Sequence, residues 1–530
     1  MTDRPLGAQI SHMLRARGVE VIFGIPGVHN VEMYRGIETA GITHVLARHE
    51  QGAGFMADGY ARASGKPGVC YLITGPGLCN AMTALGQAYS DSAPVLAISS
   101  CLDEADARRG QLHQMRDQRA AAETVCDWSA EARSPEAAYA LIDRAFSEFA
   151  TARPRPKHLQ VPIALAGRNA PPAPARPAAS GLPQVSHGDL SMAITRILAA
   201  KKPLFVFGGG ARAGAGAVPD ILRQTGAASF VTYAGRGIVP PGTPLFFGST
   251  LARPDSAQVA AEADLVIAIG TELSEVDLWR DHLGHDCPTI RVDIDAEVLA
   301  ACGAGDMPLL GDAGAFLRAM AVAIPARVED RAPCWDAAEV DRTRARWRAE
   351  IDAERPGILP VADALRAVMP EDAMIYSDMT QFAYAVKEVW DMPRPGHWHH
   401  PYGFGTLGYA LPAAIGGAVA RRGKPTVAIL GDYGFQYTVQ ELGTAVELGL
   451  PLPILIWDNA KLGEIEAAMI ASQIAPNAVV ARNPDFLALA RAYGAGAKEP
   501  ETLSALQQAL LAAFDAPGPT VIRMTRALAG

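Results

Sequence analysis

The sequence predicts an α/β protein built as three doubly wound domains, and three observations carry that reading. Helical and strand-like apolar periods alternate along most of the chain. A Pro- and Ala-rich stretch without periodicity, residues 166–185, reads as a linker that divides it. One stretch, Val427 to Glu464, reads as strand, turn, helix, strand: VAIL, the turn Gly431-Asp432-Tyr433-Gly434, apolar residues at helical spacing from Phe435 to Leu448, a stop at Gly449 and Pro451, then PILIW. Such a unit makes a right-handed crossover between parallel strands. Asp432 and Asn459 are therefore expected side by side on the carboxyl edge of the sheet, where open α/β folds bind ligands.

The other elements follow in order. In residues 1–165, LGAQISHMLRARG is an amphipathic helix ended by Gly18, and VEVIFGIPG is a strand entering a Pro-Gly turn. THVLARHE is a strand ending at Glu50, and QGAGFMADGYARASG is a helix capped by Gly65 despite its internal glycines. VCYLITGPG, LCNAMTALGQAYSD and APVLAIS continue as strand, helix and strand. After the linker, residues 186–325 form a central α/β domain with strands in KPLFVFGGGARAG, ASFVTYAG, DLVIAIGTEL and TIRVDIDAE. A polar helical stretch around 335–354 leads into the last domain, residues 345–530.

Bulk properties exclude several classes. A chain of 530 residues exceeds a single core. A net charge of −9 leaves no basic surface for nucleic acid. Seven cysteines form no CxxC pair, which fits reduced thiols and a cytoplasmic location. MTDRPLGAQI has no signal-peptide core and no apolar run reaches spanning length, so no membrane association is expected.

The edge at Asp432 and Asn459 has its own chemistry. Carboxylate and amide oxygens are hard ligands suited to Mg²⁺, which takes a few protein oxygens and completes its shell with phosphate and water. Gly431 and Gly434 admit the backbone close to a diphosphate. The same residues also suit a helix-capping Asp and a turn Asn, and spacing alone does not choose between the two.

The G-D-x-G turn, followed by Asp458-Asn459 and A-K-L-G-E-I, resembles the thiamine diphosphate and Mg²⁺ motif of the acetolactate synthase and 2-oxo acid decarboxylase superfamily. That motif usually reads GDG…NN, so Tyr433 and Asp458 are departures. The resemblance covers essentially the whole chain and implies a pyrimidine-binding domain at 1–165, a central domain at 186–325 and a diphosphate-binding domain at 345–530. It implies that Asp432, Asn459 and the backbone carbonyl of Lys461 hold Mg²⁺, with Gly431, Tyr433 and Gly434 beside the diphosphate. Glu50, in RHEQGAGFMADGYAR, matches the glutamate that shares a proton with the cofactor's aminopyrimidine, and Gly75 and Asn80 join it in cofactor binding. YGFGTLGYALPAAIG resembles the family's wedge loop, with Gly405 and Thr406 near the pyrimidine and Leu407, expected to be buried, beneath the cofactor. Gln381, in SDMTQF, matches a diphosphate contact. Glu50 and Asp432 would meet across subunits, so the resemblance implies a homodimer or homotetramer with its sites at the interface. GGGARAGAG suggests a dinucleotide loop, but FFGSTLARPD and GTELSEVD lack the segments that bind FAD in acetolactate synthases, and FAD is not expected.

Several residues bear on the substrate. His29 in GIPGVHN, and His113 and Gln114 in QLHQMRDQ, match positions that relay protons or contact substrate in the superfamily; an imidazole suits proton relay at neutral pH. Tyr402, in HWHHPYGF, precedes the wedge loop. Glu464 lies five positions after Asn459, where related decarboxylases line the pocket with apolar groups. A carboxylate there would pair with a cationic tail, best with a guanidinium. A solvent-facing Glu464, beside Glu466, is the plain alternative. Within the superfamily the first domain is most similar to the 5-guanidino-2-oxopentanoate decarboxylases. The expected activity is non-oxidative decarboxylation of a basic 2-oxo acid to aldehyde and CO₂. An acetolactate synthase-like carboligase and a non-catalytic cofactor-binding homologue are the alternatives.

Overall fold

A computed structural model of the protein describes residues 3–103, 110–176, 181–324, 331–480 and 482–529; part of the expected linker, at 177–180, and the expected domain limits at 325 and 530 lie outside them. The chain divides into two compact units, one of residues 1–180, 373–380 and 400–525, the other of residues 181–372, 381–399 and 526–530. The first unit holds two parallel sheets and the second holds one, giving the three α/β sheets expected.

The first sheet is made of β1 (Val21–Gly24), β2 (Thr43–Leu46), β3 (Gly68–Leu72), β4 (Val95–Cys101), β5 (Trp128–Glu131) and β6 (Lys157–Pro162), in the order β2-β1-β3-β4-β6-β5. Strands β3 and β4 are buried at every position, as parallel strands covered on both faces must be. Strands β5 and β6 carry polar residues into the interior. His158 on β6 lies 2.8 Å from the Ser99 hydroxyl and 2.7 Å from that of Ser129, and burial pushes its imidazole down to about 3.

The second unit is built on β7 (Pro203–Phe207), β8 (Ala228–Val231), β9 (Leu265–Ile269), β10 (Thr289–Asp293) and β11 (Met307–Leu310), ordered β8-β7-β9-β10-β11. The glycine-rich loop after β7 winds into a 3₁₀ turn over Gly209–Ala217. A Cβ at Gly208 would overlap the Gly270 carbonyl, and one at Gly210 would lie 3.0 Å from the Gly270 Cα. Close approach of the loop after β9 accounts for these glycines.

The last sheet is formed mostly within the first unit. Five of its strands, β12 (Met374–Ser377), β13 (Thr426–Gly431), β14 (Pro453–Trp457), β15 (Gly496–Lys498) and β16 (Thr520–Met524), run parallel in the order β12-β13-β14-β16-β15. The single helix expected over Phe435–Leu448 is instead two: Asp432–Tyr437, which Asp432 opens in place of a free turn, and Glu441–Glu447. The break at Thr438 has a cause, because its buried hydroxyl donates to the Gly408 carbonyl at 2.8 Å and leaves the helical track at φ −136°.

Helix Glu50–Ser64 packs against helix Ala410–Ala420, and this contact explains the internal glycines. A Cβ at Gly59 would overlap the Ala413 carbonyl oxygen, and one at Gly416 would overlap that of Met56. Small residues let the two backbones touch. A buried polar chain runs along the same contact: Tyr409 Oη donates to Asp58 at 2.7 Å, Arg62 pairs with Asp58 at 2.6 Å and with Asp91 at 3.3 Å, and Asp91 accepts Gly403 N–H at 2.9 Å.

Candidate active site

Two groups of candidate residues lie in the first unit, at the carboxyl ends of its sheets. The first centres on Glu50. The chain leaves β2, is capped by His49, whose Nδ1 accepts from Gln51 N–H at 3.1 Å, and enters the helix that Glu50 opens. Glu50 is 8% exposed and accepts Asn80 Nδ2 at 2.9 Å. Gly77 leaves room for the same carboxylate, since a Cβ there would stand 3.2 Å from Oε1. Gly75, at φ 71°, turns the chain into the helix Pro76–Ser90 that carries Asn80; its N–H donates to the Gln118 side-chain oxygen at 2.8 Å.

His29 and His113 meet with Nδ1 atoms 3.2 Å apart and rings edge to face. Partial burial and the neighbouring His113 push the His29 imidazole below its ordinary value. Gln114 lies beside this pair in sequence but turns its oxygen to the Gln111 N–H at 3.1 Å.

The second group lies at the ends of β13 and β14. Gly431 pairs with Trp457, so the residue next to Asp432 on the neighbouring strand is Asp458; Asn459, expected in that place, lies one residue further along, because the strand ends at Trp457. Asn483 bridges them, its Nδ2 donating to Asp432 at 2.7 Å and to Asp458 at 2.9 Å. Asp458, the departure from the family motif, is paired with Arg523 at 2.7 Å. Its charge is thus neutralised by a residue of β16, while burial, with the nearby Asp458 adding to it, raises the Asp432 carboxyl above the ordinary range. Asn459 closes a turn in which its Oδ1 accepts Lys461 N–H at 3.2 Å. Tyr433 is half-buried in the first turn of its helix and Gly434 packs on Asp378, where a Cβ would come within 2.6 Å of a carboxylate oxygen.

The wedge-loop candidates also lie in this unit. Thr406 is buried, with its hydroxyl 3.3 Å from the Gln87 side chain, and Gly405 is exposed at φ 66°. Leu407 is only half-buried, not buried as expected: its neighbours Thr406, Gly408 and Tyr409 take the interior places of that loop. The Tyr402 ring lies 5.1 Å from that of His400, tilted against it at 54°. Glu464 is half-buried in the first turn of helix Gly463–Ala471, while Glu466 is held by Lys461 Nζ at 2.5 Å. Gln381 opens the helix Gln381–Val389, which belongs to the second unit.

Sequence reading missed Asn483, Arg523 and Asp378. Asn483 stands in an Asn-Pro turn with no spacing signal toward Asp432, and Arg523 looks like an ordinary charge on the strand pattern TVIRM. Only the register of β16 against β14, with Arg523 opposite Ile456, brings it under Asp458.

Comparison with known proteins decides the family. Residues 4–121 match the thiamine pyrophosphate enzyme N-terminal TPP binding domain, residues 190–320 the central domain, and residues 378–524 the C-terminal TPP binding domain. The chain belongs to the thiamine pyrophosphate enzyme family. Its relatives include a probable 2-ketoarginine decarboxylase (AruI) of Pseudomonas aeruginosa, 43% identical over 99% of this chain and 94% of that protein. They also include the large subunit of acetolactate synthase isozyme 2 of Escherichia coli, 29% identical over 98% and 95%, and an acetolactate synthase of Arthrospira platensis, 30% identical over 97% and 93%.

The residues of this thiamine pyrophosphate enzyme fit the cofactor that its domains imply. Glu50 offers a nearly buried carboxyl held by an amide, and the β13–β14 edge offers hard oxygens in Asp432 and Asn459. Among the described residues no three His, Cys, Asp or Glu side chains converge on one point. An ion held by one carboxylate, one amide oxygen and a main-chain carbonyl needs no such cluster. None of the helices is long and apolar enough to cross a membrane, among the described residues.

Proposed function

We propose that this thiamine pyrophosphate enzyme decarboxylates a 2-oxo acid with a basic side chain, 2-ketoarginine (5-guanidino-2-oxopentanoate) or a close analogue, giving aldehyde and CO₂. The cofactor, when bound, supplies the electron sink for cleavage of the carbon–carbon bond. Glu50 shares a proton with the aminopyrimidine, and Asn80 fixes the carboxylate for that task. Asp432, Asn459 and the Lys461 carbonyl hold Mg²⁺, with Asn483 and Arg523 setting the charge around it. His29 and His113, already hydrogen-bonded to each other, deliver the proton that the product needs. Glu464 pairs with the cationic tail. The active form is a homodimer or homotetramer in the cytoplasm, with each site shared between subunits.

The observation that carries the choice of substrate class is the 43% identity to a probable 2-ketoarginine decarboxylase across nearly the whole chain, against 29–30% to acetolactate synthases. Those same synthases make carboligation of two 2-oxo acids the second reading. Steady-state assays with 2-ketoarginine and with pyruvate separate the two. CO₂ release from the former with little acetolactate from the latter is expected. Acetolactate formation as the faster reaction would overturn the reading. Glu464→Gln should raise KM for 2-ketoarginine about tenfold or more, the scale of one charge-assisted hydrogen bond, and leave turnover of an uncharged 2-oxo acid unchanged.

A further inference from the structure

The break at Thr438–Gln440 places Glu441 at the head of a new helix, and its side chain is fully buried. That carboxylate reaches the segment in front of Glu50, some 390 residues earlier in the chain. Arg48 N–H lies 3.1 Å from each oxygen, and His49 N–H donates to Oε1 at 2.9 Å. The Thr444 hydroxyl stands 2.9 Å from Oε2 and 3.1 Å from the Leu46 carbonyl, extending the same tie back to the end of β2.

The approach is built for. Gly52 faces the carboxylate, and a Cβ there would fall 2.5 Å from Glu441 Cδ, so this internal glycine of the helix leaves space for Glu441. Arg48 also pairs with Glu447 on the next turn of the same helix. Without Glu441 the two N–H groups that precede Glu50 would be left without this acceptor in the interior, and the chain would have to shift to find others. Thr438, three residues before Glu441, ties the same break to Gly408 beside Leu407.

We infer that Glu441 is a positioning residue, whose carboxylate fixes the backbone at Arg48 and His49 and so aims the Glu50 side chain. The inference rests on the reading of Glu50 as the residue that shares a proton with the cofactor. Reach, and not charge, is the property at work. A glutamine retains an acceptor oxygen at the same distance and can donate its NH₂ to the Thr444 hydroxyl. An aspartate keeps the charge but draws the oxygens back by one methylene.

The test uses the full-length protein with Glu441→Ala, Glu441→Gln, Glu441→Asp and Glu50→Gln. Two readouts accompany kcat and KM: amide hydrogen exchange of residues 46–52 in cofactor-free protein, and the rate at which C2 of bound thiamine diphosphate exchanges its proton for deuterium. Glu441→Ala and Glu441→Asp should speed amide exchange at residues 48 and 49. They should also lower both C2 exchange and kcat by about tenfold to a hundredfold, the scale set by misplacing a reacting group by about 1 Å. KM should stay within about twofold, and Glu441→Gln should recover most of the rate. Should Glu441→Ala not fold, the order of Gln above Asp carries the same test. If C2 exchange per bound cofactor is unchanged in the Asp variant, or if Asp outperforms Gln, Glu441 is a structural tie only and the inference is overturned. If Glu50→Gln itself leaves C2 exchange unchanged, the reading of Glu50 fails, and the amide exchange at 48 and 49 still reports whether Glu441 holds that backbone.

Discussion

Replacing Asp378 by Asn tests how the loop around Leu407 is held. Asp378 is fully buried at the end of β12. One carboxylate oxygen accepts Met379 N–H at 2.8 Å and the other Gly408 N–H at 2.8 Å, with the N–H groups of Tyr409 and Ala410 also directed at it. Burial outweighs these donors and pushes the carboxyl up from 3.8 to about 7. A carboxyl raised in the folded state binds more protons there than in the unfolded chain. Stability from this group is therefore greatest in acid and is lost as pH rises from about 4 through 7. Roughly three pH units at about 1.36 kcal/mol each set a ceiling of about 4 kcal/mol for that loss. The Asn variant does not titrate. It turns an NH₂ toward N–H donors and forfeits about 1–3 kcal/mol at every pH. The advantage of wild type over D378N should then be large at pH 5 and narrow, or invert, at pH 8. Urea denaturation followed by circular dichroism at the two pH values, compared through the midpoint and slope, measures it. A difference that is the same at both pH values, or that widens as pH rises, refutes the reasoning.

Other outcomes follow from the same geometry. Glu50→Gln should lower kcat by about 10²–10⁴ while thiamine diphosphate still binds, measured by turnover and by cofactor titration. Asp432→Ala should weaken Mg²⁺ binding and make activity depend on millimolar Mg²⁺, and EDTA should remove activity from the wild type reversibly. Gly59→Ala should lower the unfolding free energy by about 1–3 kcal/mol, because its methyl would overlap the Ala413 carbonyl and drive two packed helices apart; thermal unfolding reads this directly.

What the sequence made legible was what local pattern and short spacing encode. Strands β3, β9 and β13 rest on continuous apolar runs, and the crossover argument brings Asp432 to the ends of two adjacent strands, although the residue it predicts beside it is Asn459 and the one found there is Asp458. What stayed hidden depends on register and long-range approach. The helix through residues 435–448 is apolar at the right period, yet a hydroxyl at Thr438 found a better partner in Gly408, thirty residues earlier, and broke it. Strands β5 and β6 lacked an apolar run because Ser129, His158 and Gln160 satisfy one another and their neighbours inside the sheet. Glycines at 52 and 59, which weaken a helix judged alone, are where Glu441 and Ala413 arrive from elsewhere in the chain. The cost of each such glycine is local and its return lies in a contact hundreds of residues away. A helix that tolerates several of them is therefore evidence that another part of the chain lies against it, and here that part reaches the residues in front of Glu50.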